Sequence, residues 1–328
     1  CDRDRPHAIA EELAQFMEIT GRKGIYVILS TWGFGCPEYP GKTPEEFLPV
    51  WEKTLAFLHE RGFLGHVIYV DLDQEFPYFS SHQTKLNELA AAPAAASSTV
   101  DAMSAAGQRR PQRGLAWNDE QLDYVGNLFN RSLAHFQRLY PAQRFTFSLT
   151  SFWNECRLLN LKCLDVLELH CWVHGPRFDN RTGFRELTKD RGQHDYADYQ
   201  RRIDATFSSV RPMLVHEMHQ RLAMAAAWGA ELAAPVTTTE AWGPWWHMDH
   251  PDLRWDWLRE WCAECNLLAA QYGFWGSTPW NYSHPYWANW QDISWYQDVN
   301  RAFLHAPRMT GEPSTAPNSE PAARPPQG

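Results

Sequence analysis

The stretch VIYVDLDQEFP (residues 67–77) decides the fold of this 328-residue chain. Its first half is apolar and β-branched, which predicts a buried strand. Glu75 stands where that strand opens into a loop with Phe76 and Pro77. A second stretch, PVTTTEAWG (residues 235–243), repeats this arrangement around Glu240. Carboxylates at the ends of two strands are a common way to build an acid/base site on the rim of a barrel.

Predicted strands and helices alternate around these two stretches. Such alternation indicates βαβ units and a parallel sheet. The segment 194–230 contains Pro212, which predicts one or two helices with a break near this residue. The predicted strands are 24–33, 66–76, 144–152, 164–173, 235–243 and 274–281, and the predicted helices are 7–19, 43–62, 118–139, 194–230, 252–272 and 288–305.

Two segments fall outside this alternation. Residues 88–114 are rich in Ala and Ser and lack aromatic anchors, which predicts a flexible insertion between a strand and a helix. Residues 306–328 are polar and rich in Pro, which predicts a disordered tail. The first residue is Cys1 and no signal peptide is visible, so we expect the true N-terminus to lie upstream.

Composition narrows the classes of partner. The net charge is −9 and no basic stripe occurs, which argues against binding to nucleic acid. No apolar run is long enough to cross a bilayer, so no membrane partner is expected. The chain contains 17 tryptophans; most core tryptophans fill volume, but this number favours a groove in which some stack on sugar rings. Two strand-end carboxylates among tryptophans predict cleavage of a glycosidic bond.

The sequence supports a metal or redox site less well than a carboxylate site. Cys262 and Cys265 form a CxxC inside a helical pattern without a second pair, so a zinc or redox site is not expected. His216 and His219 lack the HExxH spacing that places two ligands on one helix face. We therefore predict no metal and no organic cofactor.

The order of four motifs resembles a family. The chain looks like a retaining glycoside hydrolase of the cellulase-like type, within the (β/α)8 clan that includes glycoside hydrolase family 5. The resemblance implies a (β/α)8 TIM barrel over residues 1–305. Because no strand is predicted before residue 24, it also implies N-terminal truncation, with strands three to eight present. The motifs are Gln74-Glu75-Phe76-Pro77, His170-Cys171-Trp172, Thr239-Glu240-Ala241-Trp242 and Trp280-Asn281.

The resemblance also implies roles for individual residues. Glu75 would be the acid/base and Glu240 the nucleophile of a double displacement on a β-linked glycan. Their carboxyls would then lie about 5–5.5 Å apart. A secreted or periplasmic location is favoured. The implied substrate-binding residues are Gln74, His170, Trp172, Trp242, Trp280, Asn281, Trp32 and Glu155.

Alternatives stay open at this point. Glu155 follows Asn154 and is the rival acid/base, while Glu75 could instead cap a helix or pair with an arginine. His170 could be a core histidine whose hydrogen bonds are satisfied. For the whole protein, the alternatives are a carbohydrate-binding barrel without turnover and a metal-dependent hydrolase.

Overall fold

The computed structural model describes residues 6–31, 41–91, 116–159, 161, 163–173, 175–185, 195–244, 247–279 and 291–309. The chain divides into two compact units. The N-terminal unit runs to Leu167, and the C-terminal unit begins at Glu168. Both are mixed α/β structures with parallel strands.

The N-terminal unit contains a three-stranded parallel sheet in the order β1-β2-β3. Helices separate its strands along the chain, as predicted. The strands are β1 (Val27–Ser30), β2 (Val67–Asp71) and β3 (Phe145–Thr146), and the helices are α1 (Pro6–Arg22), α2 (Pro44–Glu60), α3 (Ser81–Ala91), α4 (Asp119–Leu139) and α5 (Trp153–Leu158).

Local chemistry explains where the long helices begin. The Thr43 hydroxyl accepts a hydrogen bond from the Glu46 N–H and caps α2. Asn118 and Gln121 form a reciprocal capping box at the start of α4. Trp51 of α2 donates its indole N–H to the Leu72 carbonyl at 2.7 Å, which fixes this helix against the end of β2.

The core of the N-terminal unit is aromatic. Phe129 of α4 stacks on Phe147 with ring centroids 4.0 Å apart, and Phe76 meets Phe129 edge-on at 4.8 Å. All three rings are essentially inaccessible to solvent. Phe76 directly follows Glu75, so the packing of this cluster holds the backbone on the C-terminal side of Glu75.

The C-terminal unit has a second three-stranded sheet in the order β4-β5-β6. Strand β4 begins at the boundary between the units, and the bridge between Cys171 and Ala241 continues its pairing with β5 in parallel. The strands are β4 (Leu167–Glu168), β5 (Val236–Ala241) and β6 (Gly276–Pro279), and the helices are α6 (Pro176–Thr182), α7 (Tyr196–Leu232), α8 (Asp256–Gln271) and α9 (Ile293–His305).

The predicted break at Pro212 is wrong, because α7 is one continuous helix through this residue. A proline inside a helix removes one hydrogen bond and costs about 3 kcal/mol. The buried face of α7 contains Phe207, Val210, Leu214 and Met218 at helical spacing. Burying four such side chains stabilises the helix by roughly 1.5–3 kcal/mol each, which exceeds the cost of the proline.

The ends of the predicted insertion and tail also differ from expectation. Helix α3 was not predicted, and it covers residues 88–91 at the start of the proposed insertion. At the start of the proposed tail, Ala306 is buried and the Met309 N–H donates to the Gln271 carbonyl. Residues 92–115 and 310–328 lie outside the described part of the chain. Within the described residues, no helix combines the length and apolar character needed to cross a bilayer.

Candidate functional site

Glu75 is held in an unusual backbone conformation. Its φ is 57°, in the left-handed region that residues other than glycine rarely adopt. The Glu75 N–H donates to the Ser148 hydroxyl at 2.9 Å, and the Glu75 carbonyl accepts from the Tyr78 N–H at 2.8 Å. The residue is only 8% exposed. Backbone strain of this kind concentrates at functional sites, so the conformation itself points to Glu75.

Asp71 organises the polar groups around this loop. One of its oxygens accepts from the Ser148 N–H, and the other accepts from the hydroxyls of Ser148 and Ser30, all within 2.8 Å. The Ser30 hydroxyl also lies 3.1 Å from the Gln74 side-chain oxygen. A single buried carboxylate thereby joins the ends of β1 and β2 to the segment after β3.

Two buried titratable side chains lie near this loop. Asp73 accepts a hydrogen bond from the Ser80 hydroxyl, and its other oxygen has no partner among the described residues. Burial, and then the charge of Asp71, raise the pKa of Asp73 well above its usual value. His82 contacts the Tyr124 hydroxyl at 2.7 Å, and burial lowers the pKa of His82 to about 3. Both shifts favour the uncharged form.

In the C-terminal unit, His170 lies between two carboxylates. Its Nδ1 is 3.6 Å from Glu240 Oε2, and its Nε2 is 3.6 Å from Glu168 Oε1. The Thr239 hydroxyl donates to Glu168 and lies 3.4 Å from His170 Nε2. All three ionisable side chains are at least 95% buried. The cluster therefore consists of three ionisable side chains removed from bulk solvent.

A β-bulge in β5 makes this cluster possible. In a regular strand Thr239 and Glu240 would point to opposite faces, yet both reach His170. The register with β6 shifts between Thr238 and Ala241, which is where the extra residue sits. The Glu240 carbonyl accepts from the Cys171 N–H at 3.0 Å and from the Thr238 hydroxyl at 3.2 Å. Bulges of this kind often redirect a side chain beside an active site.

Trp242 fixes the turn after Glu240. Its φ is 78°, a strained value for a bulky residue. Its indole N–H donates to the Ser277 hydroxyl at 3.0 Å, and its carbonyl accepts from the Trp261 indole at 2.8 Å. The residue is fully buried, so neither ring face is exposed as a platform for a sugar.

The other predicted site residues differ in their surroundings, and three of them lie outside the described part of the chain. Gln74 belongs to the Asp71 cluster described above, while Trp172 is buried and its carbonyl accepts from Arg221. Glu155 is buried in the first turn of α5, and its carboxylate accepts from the Ala116 N–H at 2.7 Å. Trp32, Trp280 and Asn281 lie outside the described residues.

Sequence reasoning missed two residues that these clusters contain: Ser148 and Glu168. Glu168 had a readable signal, because LELH places a glutamate two residues before His170 inside an apolar strand. Residues two apart share one face of a strand. Ser148 gave no comparable signal, because one serine in an apolar run does not show which groups its hydroxyl contacts.

Comparison with known proteins identifies the family. Residues 5–304 match the model of the cellulase-like family, described as sugar-binding cellulase-like. The chain therefore belongs to this sugar-binding cellulase-like family. No curated protein matches the sequence.

A solved structure shares the fold. It is the crystal structure of a candidate glycoside hydrolase from Parabacteroides distasonis. The two chains are 21% identical, with a TM-score of 0.69, and the similarity covers 92% of this chain and 74% of the other. The likeness at this identity concerns the fold, and the chemistry has to be argued from the site.

Proposed function

We propose that the chain is a retaining glycoside hydrolase that cleaves β-linked glycans on a (β/α)8-type barrel. The observation that carries this proposal is the placement of Glu240. A bulge at the end of β5 holds its buried carboxylate 3.6 Å from an imidazole, in a chain of a sugar-binding cellulase-like family. A nucleophilic carboxylate needs this kind of fixed position next to a hydrogen-bond donor.

The proposed reaction has two steps. In the first, Glu240 attacks the anomeric carbon while Glu75 gives its proton to the departing oxygen, which leaves a glycosyl ester on Glu240. In the second, Glu75 takes a proton from water, and the water oxygen displaces Glu240 from the sugar. The two steps together consume one water and return both glutamates to their starting forms, so the proposed reaction requires no metal or organic cofactor.

The proposal assigns Glu75 and Glu240 to one cleft, with carboxyls about 5–5.5 Å apart. In support, each glutamate stands at or just beyond the carboxyl end of a parallel strand of its own unit. In barrels of this class, active sites form at that end of the strands. Trp32, Trp280 and Asn281 are proposed to contact the sugar, together with Gln74.

Trapping of the glycosyl ester tests the roles directly. The purified chain is incubated with aryl β-glycosides and with a 2-deoxy-2-fluoro analogue, and labelled peptides are located by mass spectrometry. We expect turnover, and a label on Glu240. Glu240→Gln should abolish both, and Glu75→Ala should slow substrates with poor leaving groups most.

The rival acid/base is tested by Glu155→Gln, which changes a buried glutamate whose carboxylate accepts from the Ala116 N–H. It should retain turnover. If only the Glu155 variant were inactive, the acid/base role would move to Glu155. A label on another carboxylate, or inverted product stereochemistry, would contradict the retaining mechanism with Glu240 as nucleophile.

The description of the family as sugar-binding favours a second candidate, a carbohydrate-binding protein without turnover. Calorimetry with β-linked oligosaccharides separates the two candidates. Binding by the wild-type chain with no product formed over days would favour the second candidate.

A further inference from the structure

Glu168 is a buried carboxylate that the proposed reaction does not use. It is 1% exposed, it accepts a hydrogen bond from Thr239, and its Oε2 has no partner among the described residues. Removing a carboxylate from water costs several kcal/mol unless an opposite charge or hydrogen bonds compensate. One hydrogen bond from a hydroxyl is weak compensation, so the adjacent His170 becomes the important partner.

Three polar side chains of the C-terminal unit lie beside the two ring nitrogens of His170. Glu168 approaches Nε2 from the strand that continues to His170, while Glu240 approaches Nδ1 and Thr239 approaches Nε2 from β5. Burial raises the pKa of the neighbouring Cys171 thiol to about 12, so this thiol is uncharged. Arg221 of α7 donates to the Trp172 carbonyl.

The carboxylates beside Nδ1 and Nε2 favour an imidazole that carries a proton on each ring nitrogen. A neutral imidazole carries one N–H and one lone pair, so one of its nitrogens would turn a lone pair toward a carboxylate. An imidazolium donates from both nitrogens and meets both carboxylates favourably. An opposite charge at this distance favours the charged form of a histidine, whereas burial favours the neutral form, so the two carboxylates act against the effect of burial.

We propose that Glu168 is a positioning residue that acts through His170: it keeps the imidazole doubly protonated and oriented, so that Nδ1–H is directed at Glu240. The inference rests on the proposed function, in which Glu240 is the nucleophile. A donor at this position stabilises the Glu240 carboxylate when the second step regenerates it from the ester. The proton stays on His170 throughout, so this role adds no chemical step.

Nitrogen NMR of histidine in the full chain tests the protonation directly. With 15N-labelled histidine, the signals of His170 are assigned by their loss in His170→Gln. In the wild type we expect both ring nitrogens to be protonated at neutral pH. In Glu168→Gln the midpoint of this titration should fall by roughly one to three pH units. A neutral His170 in the wild type at pH 7 would overturn the proposal, even if the variant failed to fold.

The matched control is Glu217→Gln, which removes the same charge from an exposed ion pair with Arg177 on the same unit. It should leave the His170 midpoint unchanged. A shift of equal size in this control would overturn the proposal, since the effect would then come from net charge.

Kinetics provide the second readout. Glu168→Gln should lower kcat with KM nearly unchanged and move the alkaline limb of kcat/KM to lower pH, whereas Glu168→Asp should restore part of the rate. Wild-type kinetics in an active Glu168→Gln enzyme would overturn the positioning role. The NMR result does not depend on turnover: a shifted midpoint in a wild-type chain without activity would support the Glu168–His170 link and refute only the proposed function.

Discussion

Replacement of Ser148 by alanine should destabilise the N-terminal unit and disturb Glu75 together. The Ser148 hydroxyl donates to Asp71 at 2.8 Å and accepts from the Glu75 N–H at 2.9 Å. Both partners are buried, so water cannot replace the lost oxygen at either end. The backbone contacts of Ser148, from its N–H to Asp71 and from the Phe76 N–H to its carbonyl, would remain.

The expected loss in the free energy of unfolding follows from the two hydrogen bonds that Ser148→Ala removes. A hydrogen bond to a charged group contributes about 1.5–3 kcal/mol, and a buried N–H left unsatisfied costs about 1–3 kcal/mol. Because Ser30 still donates to Asp71 and neighbouring effects do not add fully, we expect a loss of about 3 kcal/mol in the free energy of unfolding. For a unit of this size, that corresponds to a fall in Tm of roughly 6–12 °C.

Ser132→Ala is the matched control. Ser132 is also 0% exposed, but its hydroxyl has no hydrogen-bond partner among the described residues. Its removal should be neutral or stabilising by up to about 1 kcal/mol, since alanine also favours the helix. Urea denaturation of both variants, followed by fluorescence, gives the comparison. Equal losses in the two variants would show that burial of the serine, and not its hydrogen bonds, determines the effect.

Two further changes test other parts of the fold. In α7 a Cβ at Gly229 would lie 2.3 Å from the Val236 side chain of β5, so Gly229→Ala should lower the free energy of unfolding by about 1–3 kcal/mol. The control is Gly126→Ala in α4, where a Cβ would meet only Leu159 at 3.5 Å. This variant should be neutral or stabilising in the same urea assay. Between pH 6.5 and about 3, the unfolded chain binds a proton at His82 that the folded chain does not, so stability should fall as the pH falls through this window. His82→Gln should show a shallower decline of Tm with pH than the wild type; parallel declines would contradict the buried, neutral state of His82.

Local chemistry allowed much of the fold to be predicted from the sequence. Helix α2 (Pro44–Glu60) lies within the predicted helix 43–62, and the alternation of helices and strands predicted the parallel pairing. The strands themselves are much shorter than predicted: residues 144–152 contribute only Phe145–Thr146 to the sheet. The reason is that the Ser148 N–H bonds to the Asp71 side chain, and the Phe145 N–H bonds to the Asp165 side chain. An apolar run predicts a buried strand. It does not show where a side chain, instead of a neighbouring strand, accepts the hydrogen bond of a backbone N–H.

The contacts of the candidate site could be predicted only where side chains alternate regularly between the two faces of a strand. Glu168 and His170 share a strand face because they are two residues apart, so that pair follows from the sequence alone. Thr239 and Glu240 are adjacent, and the same rule would send them to opposite faces. The bulge between Thr238 and Ala241 changes this alternation, so the side chains of Thr239 and Glu240 both reach His170. Since nothing in the run of three threonines marks where the extra residue is accommodated, the strand-end position of Glu240 could be predicted, but its contact with His170 required the structure.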